Sequence, residues 1–220
     1  MTRPISRNET ALRRHIINTG LKMNALGINQ GTSGNVSARW RDGLLITPTG
    51  IPYDDLKPAD IVYLDATAKP HGRHAPSSEW RFHHDIMAAR PDVAAIVHTH
   101  SIHATAVAIC NKPLPAVHYM IAAAGGATIR CASYATYGTQ ALSNHAIKAL
   151  KGRSACLLAN HGVIATGADL DKALWLANEV EVLAQQYILA QQVGRPRVLP
   201  ATEIATVVEK FKKYGPKKKG

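Results

Sequence analysis

Two short apolar runs, 93-VAAIV-97 and 155-ACLLA-159, both break off at histidine, the first into 98-HTHSIH-103 and the second into 160-NHG-162. Runs of this length and composition read as buried strands, and strands buried on both faces need helices above and below them. Helical periodicity is present on either side of these runs. Residues 9–27 place Leu12, Ile16, Met23 and Leu26 near helical spacing, with Asn8 as a cap and Gly27 as a stop. Residues 79–89 form a second helix, capped by Ser77 or Ser78 and ended by Arg90-Pro91. Helices are also expected at 101–110, at 140–152 with a closing glycine, and at 169–192. The last has Ala173, Leu174, Ala177, Val180, Ala184, Tyr187 and Ile188 on one face, and Asp169 and Asp171 in its first turn, where the helix dipole favours acids. Further strands are expected after the loop 31-GTSGNVSAR-39, in 43-GLLITPTG-50, in 60-DIVYLD-65 and in 127-ATIRCASY-134, with 163-VIATG-167 continuing the strand that ends at 160-NHG-162. The stretch 114–126 is ambiguous. Strands in the middle with helices on both sides predict a single three-layer α/β/α domain.

At 220 residues such a domain removes about 70% of its unfolded surface from water and needs no staple. Cys110, Cys131 and Cys156 are odd in number and form no C-x-x-C pair, which argues against a disulfide framework and against a cysteine zinc site. The N-terminal residues hold no apolar signal region and no run is long enough to span a membrane, so a soluble, cytoplasmic chain is expected. Of the formal charge of +11, six units are lysines in the last eleven residues, leaving about +5 on the body. That tail carries only Phe211 and Tyr214 as aromatics, so no nucleic-acid partner is expected.

In an extended strand, side chains alternate, so His98 and His100 face one way roughly 7 Å apart along the chain and Thr99 faces the other. Two imidazoles so placed can hold one metal, or can simply pack. His161, at the end of the second run and beside a glycine that permits a sharp turn, is the third candidate. Three histidines with an open position make a catalytic rather than a structural zinc pattern. His103 falls in the following helix and reads as a packing or supporting residue, while His83, His84, His118 and His145 have no spacing that singles them out. In 76-PSSEWRFH-83, the two serines at a helix start offer hydroxyls and backbone N–H groups to an anion. Glu79 is either a capping-box acid or a carboxylate aimed into the same site. The loop 31-GTSGNVS-37 with 47-TPTG-50 has small, hydroxyl-bearing residues suited to phosphate, but it is not a P-loop.

Taken together, G-T-S-G-N, L-I-T-P-T-G-I-P-Y, P-S-S-E-W, H-T-H, H-Y-M-I-A-A-A-G-G and N-H-G resemble, in order and over nearly the whole chain, the zinc-dependent class II aldolases of sugar phosphates. The same family includes a ribulose-phosphate 4-epimerase and the non-enzymatic adducin head. The resemblance implies a mostly antiparallel central sheet, an aldolase domain over residues 1–214 and a basic tail at 215–220. It implies one Zn2+ per subunit held by His98, His100 and His161, with Glu79 as a fourth group that yields to substrate. Thr32, Asn35, Thr49, Gly50, Ser77 and Ser78 match phosphate-holding positions, Tyr119 a proton donor reaching in from a neighbouring subunit, and Tyr137 and Tyr214 the aldehyde end. A C4 homotetramer with sites between subunits is implied. The implied reaction is retro-aldol cleavage of a ketose 1-phosphate, of the L-fuculose type or a 5-deoxy- or 5-(methylthio)-ribulose, to dihydroxyacetone phosphate and a small aldehyde. Where the epimerase resembles P-S-S-D this chain has Ser77-Ser78-Glu79, and an adducin-like scaffold would have lost metal ligands that are present here.

Overall fold

A computed structural model describes residues 5–212. The elements run α1 (Arg7–Ala25), β1 (Asn35–Trp40), β2 (Gly43–Ile46), β3 (Val62–Leu64), β4 (Pro70–His71), α2 (Trp80–Ala89), β5 (Ala95–Thr99) and α3 (Ile102–Ile109). They continue with β6 (Leu114–Pro115), β7 (Thr128–Ala132), α4 (Gln140–Ala149), β8 (Ala155–Leu158), β9 (Gly162–Gly167), α5 (Leu170–Val193) and α6 (Ala201–Phe211). The nine strands of the described residues lie in the order β4-β3-β2-β1-β5-β9-β8-β7-β6. Every neighbouring pair is antiparallel except β7 and β8, which are parallel.

Apart from the exposed edge strand β4, the sheet is buried on both faces, and the pleat sorts the side chains between two cores. Val36, Ala38, Leu45, Ala95, Val97, Leu157, Val163 and Ala165 face the layer of α1, α3, α5 and α6. Leu44, Ile46, Ile96, Cys156, Leu158 and Ile164 face α2 and α4, meeting Phe82, Ile86, Leu142 and Ala146. This is the expected three-layer α/β/α domain. Each fully buried Leu or Ile contributes on the order of 2 kcal/mol by leaving water. The alternation therefore also decides which face of the sheet a strand-borne polar residue must occupy.

Several local expectations are corrected. The first helix starts earlier, at Arg7, because Ser6 rather than Asn8 caps it, its hydroxyl accepting the Glu9 N–H at 3.2 Å. Residues 163–167 do not continue the strand before them. They reverse in a tight turn and return antiparallel to β8, with Leu158 opposite Gly162. The residue that makes the reversal possible is Asn160, at φ 54°, not Gly162. The ambiguous stretch resolves into the short strand β6 and a 3-10 turn over Tyr119–Ala124, stopped by Gly125 at φ 88°. Residues 213–220, and with them Tyr214 and the lysine-rich end, lie outside the described residues.

Candidate active site

Register brings the site together. On β1, Asn35 and Ser37 alternate with the apolar Val36 and Ala38 and so look toward α2. Asn35 pairs across the sheet with His98 of β5, which is on the same face as Ile96. The Thr99 backbone pairs with Val163 of β9, so His161, just ahead of β9, arrives beside the end of β5. The chain then places Glu79 at the start of α2 above these residues.

The result is a closed triangle of imidazoles. The rings of His98, His100 and His161 stand 4.9 Å apart in each pair and nearly perpendicular, at 74–79°. His98 Nε2 lies 3.0 Å from His100 Nε2 and 3.0 Å from Glu79 Oε2, and His161 Nε2 lies 3.0 Å from Glu79 Oε1. Donor atoms of these four residues all fall within 4.8 Å of one another. His98 Nδ1 donates to the Val163 carbonyl at 2.8 Å, which leaves the Nε2 lone pair pointing into the triangle. Two neutral imidazoles bring their lone pairs to 3.0 Å when a cation lies between them or a proton is shared. The donor set, three histidines and a carboxylate, and its three separations of 3.0 Å fit a metal ion with bonds of about 2.0 Å.

Electrostatics favour the ligand state. Burial resists ionisation of Glu79, but the imidazoles of His98 and His161 outweigh it and hold the carboxyl well below its usual range. Burial, reinforced by His98 and His161, brings His100 down to about 3 against the opposing pull of Glu79, so it is a neutral donor at physiological pH. His83, wholly enclosed, is brought down to about 3, chiefly by burial.

Glu79 itself is the N-terminal cap residue of α2 but makes no side-chain cap bond. Both the serine-cap and capping-box expectations are therefore corrected: Ser77 Oγ accepts the Glu79 N–H at 3.3 Å, and the Glu79 carboxylate turns to the histidines instead. Glu79 is nevertheless 5% exposed, so it is buried at the wall of a cleft rather than in open solvent.

That cleft, of about 410 Å³, is lined by Thr32, Ser33, Ser78, Glu79, His100, Tyr134, Ala135, Tyr137, Asn160 and His161. Of the residues matched to phosphate, Thr32 and Ser78 line it. Ser77 and Asn35 are buried beside it, Asn35 donating to Glu79 Oε2 at 3.0 Å. Thr49 and Gly50 are exposed and outside the lining, though their segment is bound to that of the serines by Ser77 N–H to the Thr47 carbonyl and Thr49 N–H to the Ala75 carbonyl. Tyr53, buried in the core, donates its hydroxyl to the Gly34 carbonyl at 2.7 Å and so fixes the 31–34 loop. Tyr119 is not in the cleft. It is about half exposed and lines a second cavity of about 950 Å³ with Met120, Lys172, Trp175 and Phe211. His103 stands apart from the triangle, its Nδ1 2.7 Å from Glu181 Oε1. Sequence reasoning did not single out Ser33, Tyr134 or Asn160. The spacing Tyr134-Ala-Thr-Tyr137 was the available signal for the second of these.

Gly162 is required for closeness, not for turning. A Cβ there would stand 2.3 Å from the Thr99 carbonyl oxygen and 2.9 Å from His100 Cδ2. Gly162→Ala is therefore expected to push β9 from β5, displacing His100. The check is a metal titration, in which affinity should fall at least tenfold, together with a lowered melting temperature.

Residues 14–188 match the family model for the class II aldolase and adducin N-terminal domain. The chain belongs to that family. It is 56% identical to the L-fuculose phosphate aldolase of Escherichia coli strain K12, over 96% of this chain and 98% of that one. It is 54% identical to the 5-methylthioribulose-1-phosphate/5-deoxyribulose-1-phosphate aldolase of Rhodospirillum rubrum, over 93% of each. A solved L-fuculose 1-phosphate aldolase superposes with a TM-score of 0.90 at 42% identity, covering 92% of this chain and 97% of that one.

Proposed function

We propose that this chain is a zinc-dependent lyase that cleaves a ketose 1-phosphate of the L-fuculose 1-phosphate type into dihydroxyacetone phosphate and a small aldehyde such as L-lactaldehyde. The observation that carries the reading is the Glu79 carboxylate set between His98 and His161 at the wall of a hydroxyl-lined cleft. Held by His98, His100 and His161, Zn2+ supplies Lewis-acid polarisation of the ketose carbonyl and offsets the negative charge that develops as the carbon–carbon bond breaks. Thr32, Ser78 and the backbone around Thr49, Gly50 and Ser77 hold the phosphate, with the second amide hydrogen of Asn35 at their edge. Tyr119 takes the proton of the C4 hydroxyl on its phenolic oxygen while its own proton passes to solvent, as the C3–C4 bond opens and the aldehyde leaves. Glu79, which takes up a proton from solvent once substrate has displaced it from the histidines, then delivers that proton to C3 of the enediolate, giving dihydroxyacetone phosphate. Tyr119 lines a cavity apart from the cleft of its own chain, which supports a C4 homotetramer in which each cleft is completed by a neighbour.

The second reading, 5-(methylthio)- or 5-deoxyribulose 1-phosphate as substrate, draws on the Rhodospirillum relative, nearly as similar as the Escherichia one. The two substrates differ at the aldehyde end, where exposed Tyr134 and Tyr137 line the cleft and Tyr214 is assigned by resemblance. Comparing kcat/KM on the three ketose phosphates, before and after chelation, tests both readings. Chelated enzyme is expected to lose activity and regain it with Zn2+. Full activity without metal would overturn the mechanism, and a preference of more than tenfold for a ribulose substrate would reverse the order of the two readings.

A further inference from the structure

Behind Glu79 runs a line of buried polar groups of which the proposed chemistry uses only the nearest, Asn35. Glu79 and His83 are four residues apart and share a face of α2, while Asn35 and Ser37 are two apart and share a face of β1. Where these faces meet, Asn35 Nδ2 donates to Glu79 Oε2 at 3.0 Å, Asn35 Oδ1 meets His83 Nε2, and His83 Nδ1 lies 2.7 Å from Ser37 Oγ. His83 and Ser37 are completely buried.

The direction of this line follows from its end. A carboxylate only accepts, so Asn35 must turn its NH2 to Glu79 and its carbonyl oxygen to His83. That oxygen only accepts in turn, so the proton of the His83 ring is on Nε2 and Nδ1 receives the Ser37 hydroxyl. Reversing any one member sets two acceptors or two donors face to face, which in a buried line costs on the order of 1–3 kcal/mol.

We infer that His83 is a positioning residue for the reaction: by locking the Asn35 amide it holds the Glu79 carboxylate in the orientation from which it faces His98 and His161 and carries the proton. The kinetic part of this inference rests on the aldolase reading, and the tautomer part does not. A side chain that only filled the core would be replaceable by an apolar one of similar size; a positioning residue would not.

The test joins spectroscopy to kinetics. Long-range 1H–15N spectra of the zinc-loaded protein, and of the same protein after chelation, are expected to place the His83 proton on Nε2, and a proton on Nδ1 would overturn the inference. His83→Leu is expected to keep its metal content and KM while kcat falls 10–100-fold, with His83→Gln, which can still donate to Asn35, recovering most of the loss. A kcat within twofold of wild type in folded His83→Leu would also overturn it. Should that variant fail to fold, the wild-type tautomer decides alone. A wild-type protein that cleaves no ketose 1-phosphate would instead sink the aldolase reading and leave the tautomer result standing.

Discussion

Exchanging Glu79 for glutamine is expected to lower kcat by roughly 10²–10⁴-fold while leaving metal bound. Glutamine keeps the length and volume of the side chain, so the packing at the start of α2 is undisturbed. It removes the charge that faces His98 and His161 and, on the mechanism proposed above, the group that exchanges a proton with carbon. The three imidazoles remain, and His98 stays anchored through its Nδ1 bond to Val163. Metal content per subunit and steady-state kinetics measured on one preparation check this result. A variant that turns over within tenfold of wild type would remove Glu79 from proton transfer, and one that purifies without metal would make it a ligand first.

The second large effect belongs to His98. It is wholly buried, packs edge-on against Phe82 at 5.3 Å between ring centres, and contributes to both the His100 and the Glu79 contacts. His98→Gln is expected to abolish turnover and to weaken zinc by more than the 10–100-fold typical of losing an outer-layer partner. Thermal melting gives an independent readout. Zinc at 1,000 times its dissociation constant stabilises the folded protein by about 4.1 kcal/mol, so the wild-type melting temperature should rise on adding zinc while that of His98→Gln barely moves. Equal shifts for both proteins would show that the histidine triangle is not where zinc binds.

Much of this arrangement was legible in the residues. Alternation in 93-VAAIV-97 set His98 and His100 on one side, and the apolar run before 160-NHG-162 put His161 at a strand end. What stayed hidden depends on long-range register. Glu79 read equally well as a helix-capping acid, because a cap and a ligand occupy the same sequence position, and only the approach of β5 and β9 decides between them. His83 looked like any core histidine, since its partners Asn35 and Ser37 lie nearly fifty residues away on another element. The turn was assigned to Gly162 rather than to Asn160, because glycine is the stronger turn signal although asparagine also adopts the left-handed conformation.

The order of strands around β5 has a consequence for biosynthesis. β5 is flanked by β1 on one side and by β9 on the other, so the residues of the cluster are delivered by segments some eighty positions apart. A ribosome-bound chain that has not yet emitted His161 offers an ion only the His98–His100 pair and Glu79, without the strand that closes the triangle. The four-donor cluster is therefore complete only when β9 has paired with β5 and carried His161 to the other three residues.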